Sequence, residues 1–183
     1  MYILATDTAF GNASICIKKD NETLALVQDF NRESQAEKLI NLIQDCLKSA
    51  NLNYNQIDLY SANIGPGSFT GIRIGLSAVK AISYALKKPF IGVTSFEAHI
   101  QNFTKKAEIS AERVYSIINA NRDEIYIFEF DKRGLIDNLS NGKLINVADL
   151  ESLKNPECFF ISDNLKIHSY LVENNFNTYS SSI

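Results

Sequence analysis

The chain has 183 residues, 45% of them hydrophobic, and a formal net charge of −3 at pH 7. That is enough apolar material for one sizeable domain or two small lobes. The negative balance excludes a global basic field that would draw the chain to nucleic acid, and no apolar stretch reaches the roughly 18 residues of a membrane-spanning helix.

Residues 2–6, 13–18 and 23–30 read as three strands. Lys19-Asp20-Asn21 separates the second from the third, so the connections are short and the expected arrangement is an antiparallel meander. The period then changes. Ala36, Leu39, Ile40, Ile43, Cys46, Leu47 and Ala50 recur at helical spacing, which predicts an amphipathic helix over residues 33–50. Residues 57–64 form a fourth strand and residues 70–87 a second long helix, stopped by Pro89. Residues 90–93 give a short strand, and Ser95 is placed to cap a helix from Phe96 to about Lys105. The order β-β-β-α-β-α-β-α predicts a mixed sheet with helices on it and resembles one ribonuclease H-like half of the actin, hexokinase and Hsp70 architecture.

After residue 110 a second, shorter half is expected. Residues 113–119, 124–131 and 142–145 read as strands, 148–153 as a short helix, 158–161 as a strand and 165–173 as a helix. The division is set at 1–107 and 108–183. The polar tail from Asn174 to Ile183 is expected to fray.

The most informative stretch is Ile64-Gly65-Pro66-Gly67-Ser68-Phe69-Thr70-Gly71-Ile72-Arg73-Ile74-Gly75-Leu76, which holds four of the eight glycines. A strand, a glycine turn and a helix N-terminus expose backbone N–H groups that can hold an anion, or they let another surface come close. No Lys follows as in a Walker loop, and the spacing is not that of a dinucleotide fingerprint. In the second long helix Ile72, Leu76, Val79 and Leu86 form an apolar stripe. Gly71, Gly75, Ala78 and Ala85 form an adjacent strip of small residues, and Arg73, Ser77, Lys80, Tyr84 and Lys87 share the remaining face. The small strip admits a close helix neighbour, either the first helix of the same lobe or one from a partner.

Candidates for chemistry are few. Cys16, Cys46 and Cys158 are odd in number and far apart, which points to buried thiols in a reducing, cytoplasmic setting. His99 and His168 lack metal-ligand spacing, and Ser68 has no nearby His to activate it. Met1-Tyr2-Ile3-Leu4-Ala5 carries no basic leader region, so no secretory signal is expected.

Three segments together resemble the bacterial TsaB (YeaZ-type) family: Ile3-Leu4-Ala5-Thr6-Asp7-Thr8-Ala9, the glycine stretch with Arg73, and Ile91-Gly92-Val93-Thr94-Ser95-Phe96. The resemblance is close over roughly residues 1–100 and weaker to about residue 131. It implies an α/β actin-like fold with two ribonuclease H-like lobes in tandem, the second shortened. It also implies a role in making threonylcarbamoyladenosine next to the anticodon of tRNAs that read ANN codons. In that role the protein is a non-catalytic scaffold. It pairs with a TsaD-type catalytic subunit, a TsaE-type ATPase joins them, and tRNA is met only through the complex. The chain alone is a candidate homodimer.

The residues agree that chemistry is missing. Actin-like ATPases grip phosphate through an Asp-x-Gly hairpin, and here Asp7-Thr8-Ala9 places a β-carbon at the third position. No catalytic, cofactor or metal residue is therefore assigned, and ATP or ADP is admitted only at the interface of a complex. The alternatives are an active ATPase or small-molecule kinase using Asp7 and the glycine turn, and a peptidase, for which neither nucleophile nor metal cluster is available. Where family members carry a His in the first turn of the first long helix, this chain has Ser34. Where many read Asp-Ala-Arg, it has Asn119-Ala120-Asn121. The partner surface is expected on the two long helices, from Leu39, Leu42, Ile43 and Cys46 on the first and Gly71, Gly75 and Ala78 on the second, with Arg73 and Lys80 at the rim.

Overall fold

In the computed structural model, which describes residues 1–31, 35–104, 111–131, 142–162 and 164–180, alternating burial along the first strands sets up a sheet with one sealed face. β1 (Tyr2–Asp7), β2 (Ala13–Lys19) and β3 (Glu22–Asp29) form the antiparallel meander. Asp20, at φ +52°, makes the turn between β2 and β3. α1 (Gln35–Ser49) follows, then a 3-10 turn over Tyr54–Gln56 held by a capping box from Asn53 and Gln56. β4 (Leu59–Asn63) pairs parallel to β1. α2 (Phe69–Ala85) leads to β5 (Phe90–Val93), parallel to β4. The strand order is β3-β2-β1-β4-β5. On one face Leu4, Ile15, Ile17, Tyr60 and Val79 form a single core with Leu39, Ile43 and Cys46 of α1. On the other, Ile3, Ala5 and Cys16 are half-buried, and Leu26 and Ile91 remain 54% and 50% exposed.

α3 (Ser95–Thr104) opens the second set of elements. β6 (Arg113–Asn121), β7 (Glu124–Asp131) and β8 (Lys143–Asn146) form another meander. A 3-10 segment, Val147–Leu153, precedes β9 (Cys158–Ser162), then α4 (Leu165–Glu173) and β10 (Thr178–Ser180) complete the chain. The order is β10-β9-β6-β7-β8. One face of this sheet buries Tyr115, Ile117, Ile127 and Phe160 with Leu150 and Leu171. Val114, Ser116, Ile118, Phe128 and Phe130 of the opposite face are also buried. Phe96 of α3 lies 5.2 Å from the Phe128 ring, and His99 Nδ1 lies 3.0 Å from Ser116 Oγ.

The chain divides into Met1–Ser95 and Phe96–Ile183. The sequence placed the boundary after residue 107. The earlier division arises because Phe96 and His99 pack on the second sheet, so α3 belongs to its core. The expectation of a frayed tail is corrected for residues 174–180. Phe176 is buried, Phe160 N donates to Asn177 O at 2.8 Å, and Thr178 Oγ1 donates to Phe160 O at 2.9 Å. His168 lies within α4, on the helix the sequence predicted over 165–173. Ser34 falls outside the described residues.

Candidate functional site

β4 ends at Asn63, and the chain turns through Gly65-Pro66-Gly67 into α2. Gly65 sits at φ +96°, a conformation a side chain would strain. Its N–H donates to Asn63 Oδ1 at 2.7 Å, and its carbonyl accepts from Ser95 N at 2.8 Å. Ser95 Oγ donates to Pro66 O at 2.7 Å and lies 3.0 Å from Asn63 Oδ1. The serine expected to cap α3 is thus turned toward the glycine turn. Asn63 Nδ2 donates to Asp7 Oδ2 at 3.0 Å, while Asp7 Oδ1 accepts the Ala9 N–H at 2.8 Å. Both carboxylate oxygens of Asp7 are therefore engaged by the protein. Ser68 caps α2 by accepting from Gly71 N, and its own N–H donates to Ala9 O at 2.7 Å.

The remaining glycines serve close approach to β1. A Cβ on Gly67 would lie 2.7 Å from Ala9 O, and one on Gly71 would run into the Thr8 carbonyl oxygen. One on Gly75 would meet Thr8 Oγ1, the hydroxyl that donates to Gly71 O at 2.7 Å. Of the two uses open to a strand–glycine–helix junction, this one docks the end of β1. Among the described residues no cluster of three His, Cys, Asp or Glu side chains could hold a metal. Ser68 Oγ is committed to the helix cap, so the junction offers no activated nucleophile.

The same packing relocates most of the residues expected to face a partner. Leu39, Ile43 and Cys46 are at most 1% exposed and belong to the core. Gly71 and Gly75 are buried on Thr8, and Ala78 and Leu42 are half-buried against the core. The buried line of α2 is Gly71, Gly75, Val79 and Ser83. The small residues therefore bring α2 down onto its own strand. Arg73 and Lys80 alone among the expected residues are exposed. Beside them the structure exposes Phe69 by 68% and Tyr84 by 86%. The Arg73 guanidinium lies 3.8 Å over the Phe69 ring. The sequence left Phe69 out of the second helix altogether. The pairing was nonetheless legible, since residues four apart share a helix face.

Interior placement also marks the thiol chemistry. Burial pushes the Cys46 thiol up to about 11, and its Sγ donates to Ile15 O at 3.4 Å. Burial likewise raises the Tyr60 phenol to about 12, with its OH donating to Tyr54 O at 2.8 Å. Neither group is poised to react near neutrality.

A family model described as TsaD, tRNA N6-adenosine threonylcarbamoyltransferase, matches residues 31–180. The chain is 30% identical to the tRNA threonylcarbamoyladenosine biosynthesis protein TsaB of Escherichia coli, over 72% of this chain and 56% of that protein. It spans 56% of that protein's length, and 30% and 45% of two curated threonylcarbamoyltransferases that it also matches. A crystal structure from Pseudomonas aeruginosa, of a protein with similarity to peptidase YeaZ, superposes with a TM-score of 0.76 at 22% identity, covering 98% of this chain and 82% of that one. A Bacteroides thetaiotaomicron protein with an actin-like ATPase fold superposes at 0.58 with 10% identity, covering 98% and 90%. The fold is thus the actin-like one. On the family match to residues 31–180, the chain belongs to the threonylcarbamoyltransferase family, and it is similar to proteins named TsaB and YeaZ.

Proposed function

We propose that this chain is a non-catalytic activating subunit in the synthesis of threonylcarbamoyladenosine on tRNAs that read ANN codons. It acts by pairing with a TsaD-type catalytic subunit through the exposed faces of α1 and α2. The observation that carries the reading is the occupied hairpin at the end of β1. Asp7 spends both carboxylate oxygens on Ala9 and Asn63, and the glycine turn closes on Thr8 and Ala9. An ATPase or kinase would need that carboxylate and those backbone groups for metal and phosphate. A TsaE-type ATPase joins the pair, and tRNA contacts the chain only within the complex. The chain carries no cofactor of its own, ATP or ADP being admitted only at the interface of that complex, and the setting is cytoplasmic. Alone, the chain is free to form a homodimer.

The reading is tested by reconstitution. Purified chain, catalytic subunit, TsaE-type ATPase and unmodified tRNA are combined and the modified nucleoside is measured. Modification should require this chain, which by itself should turn over no ATP. ATP hydrolysis by the purified chain, lost on Asp7→Asn, would overturn the reading in favour of the ATPase.

A further inference from the structure

Residues 59–96 contain four cations, Arg73, Lys80, Lys87 and Lys88, and no Asp or Glu, in a chain whose net charge is −3. The exposed side of α2 concentrates this asymmetry. At roughly 100° per residue, Phe69, Arg73, Lys80 and Tyr84 fall within about 60° of one another. All four are exposed. Among the described residues none of the four cations makes an ion pair, whereas on neighbouring α1 Lys38 meets Asp29 at 3.6 Å and Lys48 meets Asp45 at 3.2 Å. α1 thus has charges satisfied within the chain, and α2 presents charge without a counterpart.

We infer that the α2 face selects its partner by charge, and that the surface it fits is an acidic helix face of the catalytic subunit with apolar recesses for Phe69 and Tyr84. The inference rests on the pairing proposed above. Aromatic anchors flanked by Arg suit the centre and edge of a protein interface. The Arg73 guanidinium lies 3.8 Å over the Phe69 ring on an exposed face, where a carboxylate can meet it in bidentate fashion. The same stripe makes self-pairing the weaker of the two associations. A two-fold dimer places a patch on its own copy, which would bring Arg73 and Lys80 toward the same cations of the second molecule. Like charges in an interface are a means of rejecting the wrong partner. RNA is the less suitable occupant. Arg73 and Lys80 are seven residues apart, about 10 Å along a helix, too sparse to follow successive phosphates.

The test uses the full chain and the intact catalytic subunit. Affinity is measured between about 0.05 and 0.5 M salt, a range over which exposed charges become screened. It is measured for the wild type, for Arg73→Glu with Lys80→Glu, and for Arg73→Gln with Lys80→Gln. Circular dichroism melts confirm that the variants fold. Wild-type binding should weaken about tenfold with salt. Charge reversal should cost about a hundredfold and neutralisation less. Sedimentation should show the neutralised variant self-associating more than the wild type. Binding that ignores both salt and charge reversal overturns the inference while leaving the pairing intact. No binding by the wild type at any salt overturns the pairing and the inference with it. Salt-sensitive tRNA binding by the isolated chain, abolished by the same reversal, assigns the stripe to RNA and also overturns it.

Discussion

The two units string their strands in the same order, β3-β2-β1-β4-β5 and β8-β7-β6-β9-β10, and build their interiors by different means. The first relies on two long helices and on glycines that let one of them settle on a strand end. The second has a 3-10 segment and a nine-residue helix in the corresponding places. It fills the space with rings: Tyr115, Phe160 and Phe176 on one face, Phe96, Phe128 and Phe130 on the other. Strand order sets which residues can meet. Side-chain volume, or the lack of it, sets how near the helices come.

Phe160→Ala should have the largest effect. Phe160 is 1% exposed, stacks on Tyr115 at 5.2 Å and meets Phe176 edge-on at 5.0 Å. Its removal should cost about 3–5 kcal/mol, and hydrogen exchange should rise first in β9 and β10. Exchange rising first in β1 or β4 would show that the ring cluster is not the second unit's own support. Gly71→Ala should cost about 3 kcal/mol, since the new methyl meets backbone carbonyl with little room to relax. Its effect should appear in α2 and β1, and a melting temperature equal to wild type would refute the docking of α2 on Thr8.

Alkaline pH gives a smaller, graded test. The Cys46 thiol is held up to about 11 in the folded chain, above the ordinary 9.0. A folded-state value above the unfolded one gives stability that is full below pH about 9 and is lost as pH rises through about 11. Cys46→Ala should therefore flatten the decline of stability in that window, and an unchanged slope would contradict the interior placement. Tyr84→Ala should have the smallest effect on folding, within about 0.5 kcal/mol, because its side chain is 86% exposed. A large loss of stability there would mean that the outward face of α2 is packed after all.

Much of the architecture was legible because the chain changes period cleanly. Ile15 and Ile17 alternate as a strand should, and Leu39, Ile43 and Cys46 recur as a helix face should. β5 and α4 fall on the residues their sequence indicated. β10 was missed because three residues in a polar tail carry no period, and its strand character comes from pairing with β9. The candidate site was half legible. Gly71 and Gly75 announce a close neighbour, but a glycine does not say which. The neighbour is Thr8, 63 residues away from Gly71, and no local pattern links the two. Gly71 and Gly75 were for that reason found inside, while Leu39, Ile43 and Cys46 lie inside because the apolar face of α1 packs on its own sheet. Arg73 and Lys80 are exposed, as a cation on a helix beside an apolar stripe turns to solvent.

Asn63 has a consequence for the order in which the molecule assembles. Its side-chain amide reaches Asp7, 56 residues before it, and Ser95, 32 residues after it, while also holding the Gly65 N–H. Each of the two distant bonds closes a long loop: the first waits for β1 to lie beside β4 and the second for β4 to lie beside β5, so the pair is expected to be complete only late in folding. Asn63→Ala should accordingly quicken unfolding and leave the refolding rate near wild type, a low φ-value in the middle of a densely bonded turn. The glycine turn is then a late-closing latch, shaped only once the sheet beneath it is complete.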